Sequence, residues 1–233
     1  MAIIKLGPIV SDIKGLVNGL IFARNIGGNY VKGFVTPINP MTTRQVDVRN
    51  DFATLVDDWQ SRLSQGERLG WNDYGQNNPV LNRLGEQILL TGLNWFIKLN
   101  ALRLQAGGAV VDDAPVGSST GIPDTSLDIS DIDLDGATID IAFDITGNWV
   151  GQDAGAMLIF VPDILSLGVE SFNHPMRFAG AIQGDATTPP TSPATLAYPW
   201  GGPTGGGKVF CEATIIEDGP KQTVGSRSPM FFA

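Results

Sequence analysis

Asp131, Asp133 and Asp135 stand on alternate positions and are followed by Gly136, the opening spacing of a calcium-binding loop. Three carboxylates so placed can converge on one hard cation. The ligand set then breaks off. Eleven residues after Asp131, where a bidentate Glu belongs, stands Ala142. The same stretch reads as a strand, because Ile132 and Leu134 alternate with the aspartates and end in an Asp-Gly turn. His174 is the only histidine, so no multi-histidine metal site can form. Asp163 and Glu170 are near it in sequence, but no serine or cysteine nucleophile carries a motif around it. Cys211 is the only cysteine and sits in an apolar run, Val209 to Ala213, that suits a buried structural thiol. Gly205-Gly206-Gly207-Lys208 has neither the spacing nor the following Ser/Thr of a phosphate-binding loop. No cofactor is expected, and the chain reads as a non-enzyme.

The elements that must hold these residues follow from composition and periodicity. The chain has 233 residues and a net charge of −9, unevenly spread. Residues 1–107 carry 11 Lys/Arg against 8 Asp/Glu, and residues 108–233 carry 4 against 16. That asymmetry suggests two modules with different neighbours. The acidic half should repel phosphate backbones, so nucleic acid is not expected as a direct partner. A single cysteine allows no internal disulfide and suits assembly in a reducing cytoplasm. Lys5, Pro8, Asp12 and Lys14 interrupt any signal-peptide core. No stretch approaches the roughly 18 apolar residues of a membrane span.

The clearest helix lies between Asn39 and Gly75. Val48, Phe52, Leu55, Val56, Trp59 and Leu63 recur at three- and four-residue steps and share one face. Asn39 before Pro40 competes with Thr42 before Gln45 as the start. Ser64 with Glu67 restarts the helix as a second capping box. This amphipathic helix is expected to clamp a small β-ribbon. The ribbon is read from residues 1–37, with strands over Leu16 to Arg24 and Asn29 to Val35 around Ile26-Gly27-Gly28. Leu84-Gly85 before Gln87 to Leu90 suggests a short hairpin. Thr91 is placed to cap a third helix, apolar almost all round, that ends at Gly107-Gly108.

From Leu127 the period becomes two. Leu127, Ile129, Ile132 and Leu134 alternate with a slip that a bulge would explain, and Ile139, Ile141, Phe143 and Ile145 continue after the turn. Ala156 to Pro162, Met176 to Ile182, Lys208 to Ile216 and Thr223 to Phe231 are further strand candidates. A long Pro/Gly/Thr loop spans 184–207. The expected fold is α+β: a β-ribbon with helices over 1–107, a linker over 108–126, and an antiparallel β-sandwich over 127–233. Candidate interface residues are Tyr30 and Phe34 on the ribbon and Tyr198 and Trp200 in the loop. The last two either meet a partner or fold back on the sheet.

The first hundred residues resemble an uncharacterised family of tailed-bacteriophage virion structural proteins. The resembling pieces are the glycine-spaced opening Gly7 to Gly19, Arg24-Asn25-Ile26-Gly27-Gly28-Asn29-Tyr30, and Asn39-Pro40 with Thr42, Thr43 and Gln45. They continue through Arg49, Phe52, Trp59, Glu67-Arg68-x-x-Trp71 and Gly92-x-Asn94-x-Phe96-x-x-x-Asn100. The resemblance implies a hairpin-plus-helix head and a variable β tail, and it transfers no functional residues. The tail looks like the immunoglobulin-like sandwiches that phages use as add-on modules. The implied role is a capsid, vertex or tail component, assembled in the host cytoplasm and resident in the virion. Its implied partners are other virion proteins and copies of itself, with no membrane. The alternative is a module that recognises a glycan or a surface protein through the 184–207 loop.

Overall fold

Asn18 (φ 46°) and Gly19 (φ 77°) lie together in the left-handed region. Positive φ at both central positions marks the tight turn whose twist suits the strands beside it. These residues split the single strand expected over Leu16 to Arg24. The structure, a computed structural model, describes residues 2–7, 10, 12–82, 84–116, 120–121, 123–133, 135–200, 206–217, 222–223 and 225–232. The chain is α+β and divides into two compact units, Met1–Ile97 and Lys98–Ala233.

In the first unit, β1 (Ala2–Ile4), β2 (Gly15–Val17), β3 (Leu20–Asn25) and β4 (Gly28–Gly33) form one antiparallel sheet in the order β1-β4-β3-β2. Helix α1 (Thr43–Asp57) begins at Thr42, whose hydroxyl accepts from the Gln45 N–H. The competing cap, Asn39, turns its side-chain oxygen to the Arg49 guanidinium at 2.8 Å. The helix widens by one residue per turn over Asp58–Arg62 and stops at Leu63, whose N–H reaches Asp58 O. Ser64 and Glu67 then form both bonds of a capping box at the start of α2 (Gln65–Asn77). A short hairpin, β5 (Val80–Leu81) and β6 (Gln87–Ile88), leads to α3 (Gly92–Gln105). Thr91 caps α3 by accepting from Asn94 N–H.

The expected clamp of α1 over the ribbon is not what forms. Val48 and Phe52 stay about half exposed, at 49% and 54%, so the first half of that apolar face is bare. The helix packs through its second half, where Leu55 is buried and Trp59 meets Phe96 at 5.7 Å. Trp71 stands edge-on to both Phe96 and Tyr74, and Tyr74 edge-on to Trp95. Buried aromatic pairs of this geometry add about 0.5–1.5 kcal/mol each beyond their area. The ribbon bonds elsewhere: Asn82 donates to Gly27 O, and Lys5 pairs with Glu86 across the β5–β6 hairpin.

The second unit holds β7 (Thr120–Gly121), β8 (Asp128–Asp133), β9 (Thr138–Ala142), β10 (Ala156–Pro162), β11 (Met176–Gln183) and β12 (Ala194–Ala197). It continues with β13 (Lys208–Val209), β14 (Glu212–Ile216), β15 (Gln222–Thr223), β16 (Ser226–Arg227) and β17 (Phe231–Phe232). One sheet runs β11-β10-β14-β15-β7, with β16 also on β14, and a second runs β12-β9-β8. Their inward residues share one core: Ile129, Ile139, Ile141, Met157, Ile159, Val161, Val209 and Ala213 are buried together. The slip in β8 is a bulge between Ile129 and Asp131. The expected strand 208–216 breaks at Phe210-Cys211, and the expected strand 223–231 is three short pieces.

The expected linker does not begin free at residue 108. Helix α3 ends in a left-handed Gly107 (φ 83°), with Gly107 N–H on Leu104 O and Gly108 N–H on Arg103 O. Buried Asn100 then exchanges two hydrogen bonds with the Val111 backbone, and buried Arg103 donates to Ala109 O and Glu217 O. The units part earlier still, between Ile97 and Lys98.

Helices α2 and α3 approach closely at Gly92. A Cβ there would lie 2.7 Å from Asn72 N and 2.8 Å from Trp71 C, both rigid backbone. Gly92→Ala should therefore destabilise the first unit by about 1–3 kcal/mol through overpacking. Gly33→Ala, with nothing within 4 Å, should change stability by less than about 0.5 kcal/mol. Urea unfolding followed by tryptophan fluorescence distinguishes the two.

Candidate assembly surface

No described residue before Leu55 is buried. That fact sets the first unit apart, because its sheet is apolar on both faces. Directly paired residues share a face. One face carries Ile4, Val17, Leu20, Phe22 and Val31; the other carries Ile3, Leu16, Ile21, Ala23 and Tyr30. The strand chemistry is ordinary, but four short strands cannot cover both sides of themselves.

Of nineteen exposed large apolar side chains among the described residues, fifteen fall within residues 1–97. They include Leu16 and Val17 on an edge strand. They continue along the extended segment after β4, with Phe34 at 59%, Val35 at 75%, Ile38 at 90% and Met41 at 65% exposed, and reach Val48 and Phe52 on α1. Scattered single apolar residues need no explanation, but a contiguous run of them is a candidate interaction surface. Pro37 and Pro40 keep this run extended by excluding helix from the residues before them.

The four interface candidates separate. Tyr30 is half-buried in β4, opposite Ala23 and Ile3. Phe34 is exposed and follows the strand, its N–H held by Gly19 O at 2.8 Å. Tyr198 is withdrawn from any surface. It is 5% exposed, packs in the core, and donates its hydroxyl to Pro162 O at 3.1 Å. Burial pushes its pKa up to about 12. Trp200 also folds back, donating to Val161 O at 3.0 Å beneath the Arg177 guanidinium, 3.8 Å from the ring centre. The reason is local. Residues 194–197 of the expected loop are strand β12, paired with β9, and deliver Tyr198 straight into the core. Gly201 to Gly205 lie outside the described residues.

The chemical candidates also find structural places. Asp131 and Asp133 stand on the outer face of β8, and Asp133 accepts from the Asp135 and Gly136 N–H groups to close the turn. No group of three His, Cys, Asp or Glu side chains among the described residues is placed to hold a metal. The turn is four residues rather than the expected two, and its positive φ falls on Ala137. His174 is half-buried, with a buried Nε2 that has no hydrogen-bond partner among the described residues, beside a hollow where Arg227 pairs with Glu212 and lies over the Phe172 ring. Ser171, the hydroxyl of that hollow, accepts from Asn173 N–H. Cys211 is fully buried; its N–H donates to Ser228 Oγ. No helix among the described residues is long and apolar enough to cross a membrane.

Comparison with models of known protein families finds no match, and comparison with curated protein sequences finds none either.

Burial raises the Cys211 pKa to about 11, against a weaker opposing effect of Ser228. Only the thiolate is nucleophilic. At pH 8 the native thiol should therefore resist an aromatic disulfide reagent and titrate fully once the chain is unfolded in guanidinium. Rapid labelling of the native protein would show that the second unit's core opens readily.

Proposed function

We propose that this chain is a structural component of a bacteriophage virion, a capsid decoration, vertex or tail protein that acts by assembly. The observation that carries this reading is the two-faced apolar sheet in which no described side chain is buried, continued by the bare segment from Phe34 to Met41. A domain that keeps such a surface in water gives up stabilisation of about 25 cal/mol for each Å² left uncovered. Repeated, symmetric contacts with other virion proteins or with further copies recover it. The resemblance of the first hundred residues points the same way.

In this reading the second unit is an immunoglobulin-like β-sandwich that stays in solvent, kept soluble by its acidic charge. Its role involves no catalytic step. The chain resides in the particle after assembly in the host cytoplasm, with no membrane and no direct nucleic-acid contact. Recognition of a glycan or surface protein through the 184–207 loop is the weaker reading, because Tyr198 and Trp200 of that loop are committed to the fold.

Phe34→Asp with Val35→Asp places two charges on the bare segment. Both positions are exposed, so thermal stability should change by less than about 1 kcal/mol. The double variant should be lost from, or strongly depleted in, purified particles of a phage that encodes the chain, as read by quantitative mass spectrometry. Particles that lack the unaltered chain altogether would refute the proposal.

A further inference from the structure

We infer that the second unit carries a binding pocket for a single polyhydroxylated ring, of the size and chemistry of a monosaccharide, built around Trp149 beside Asp144 and Glu217. No residue of the 184–207 loop lines the pocket, and the pocket does not depend on a virion role.

Trp149 sits on a short helical turn, Asn148–Gly151, and is 3% exposed, its ring packed on Phe143 at 5.4 Å. A buried indole N–H normally finds an acceptor. This one has none among the described residues; it is not shut into the protein, because it opens on a cavity. The cavity measures about 190 Å³ and is walled by Pro123, Asp144, Thr146, Gly147, Asn148 and Glu217 around Trp149. Gly147 sets the opening. A Cβ at that position would lie 3.1 Å from Nε1 and 3.2 Å from Cδ1 of the indole. The indole's polar edge therefore faces the side where the side chain is missing.

Of the two carboxylates on the pocket wall, Asp144 is held in place, and both are incompletely used. Asp124 accepts the Asp144 N–H at 2.9 Å and holds that strand end in place. One Asp144 oxygen accepts from the Thr146 N–H and hydroxyl, at 2.8 and 2.7 Å. Its other oxygen and the Glu217 carboxylate have no partner among the described residues. The hydrogen bonds from Thr146 lower the Asp144 pKa, so this acceptor stays ionised at neutral pH.

The mixture selects the ligand. An ammonium ion would suit the carboxylates but leave the indole donor facing a cation. A phosphate would suit the indole and be repelled by the carboxylates. No three-ligand metal cluster exists among the described residues. A sugar meets every requirement at once: its hydroxyls donate to Asp144 and Glu217, and a ring or hydroxyl oxygen accepts from Trp149. The volume, below the roughly 300–1,000 Å³ of drug-sized sites, admits one ring rather than a chain.

The test is a titration of the ¹⁵N-labelled full chain with glucose, galactose, mannose and N-acetylglucosamine, read at the Trp149 indole resonance. Putrescine and inorganic phosphate serve as counter-probes. At least one sugar should shift that resonance saturably with a Kd of about 1 mM. Gly147→Ala, whose backbone at φ −60°, ψ 140° suits alanine, should block the donor. Glu217→Gln should remove the charge and turn one of the two acceptor oxygens into a donor, at a position that supports no other side-chain contact among the described residues. Each should weaken binding about tenfold or more, and Glu217→Gln should do so with the unfolding midpoint unchanged. Methyl glycosides separate the two sources of such a ring. Equal binding of the glycoside marks a glycan terminus, and binding only with a free anomeric hydroxyl marks a free sugar; both support the pocket. The inference is overturned if no sugar shifts the resonance, if both variants bind as well as the parent, or if putrescine or phosphate saturates the site instead.

Discussion

Strand β10 is apolar on both faces, and the second unit is arranged to keep water from both. Met157, Ile159 and Val161 point to one side, and Ala156 and Leu158 to the other; all five are buried. A strand with that pattern cannot lie at a solvated sheet surface, since exposing either row would forfeit about 1.5–3 kcal/mol for each large side chain. The first row is covered by the β12-β9-β8 sheet through Ile139, Ile141 and Ile129. The second is covered by the end of α3 through Leu102 and Ala106, with Phe160 and Phe178 beside them. That second cover explains the polar residues buried there. Arg103 and Asn100 satisfy the backbone around the helix end and let it lie flat on the sheet without orphaned donors.

The first unit has the same problem and solves half of it. Its three helices close an aromatic cluster on Trp71, Tyr74, Trp95 and Phe96. Its sheet has no equivalent cover. Four short strands satisfy one another's hydrogen bonds, so the backbone is content, but a ribbon without a packed face is marginal in water. The difference between the units lies in packing, not secondary structure. Where β10 has buried residues on each side, the residues of β3 and β4 are at most half-buried.

How far this was legible in the sequence depends on how local each signal is. The Thr42, Ser64 and Thr91 caps, the Gly107-Gly108 stop, the β8 slip and strand Ala156–Pro162 were readable because each rests on residues within one turn or one strand. Asn18-Gly19 was equally local, and the apolar run around it masked a strong hairpin signal. Strand β12 was hidden because Ala194–Ala197 shows no strong alternation and is held by its pairing with β9, 53 residues earlier from Ala194 to Ile141. The burial of Tyr198 follows from that pairing and could not precede it. The pocket at Trp149 was also invisible, since its lining residues come from three separate segments. The one cue was Gly147 two residues before a tryptophan, and such a glycine has no meaning until the indole's direction is known.

Charge explains why the two units can meet water so differently. Asp128, Asp131, Asp133 and Asp140 share the outer face of the β12-β9-β8 sheet, and Asp131 stands directly opposite Asp140. Like charges so placed destabilise the pair, and the Asp140–Thr195 hydrogen bond at 2.6 Å offsets only part of that. A face that accepts this cost resists stacking on a copy of itself, where desolvation would raise the repulsion further. The same outer strand, β8, would otherwise present an open edge to other chains. The first unit's sheet and the segment from Phe34 to Met41 show no such like-charge pairing among the described residues. The acidic face thus does not need to bind anything to matter: its like charges oppose close contact with any surface of the same sign.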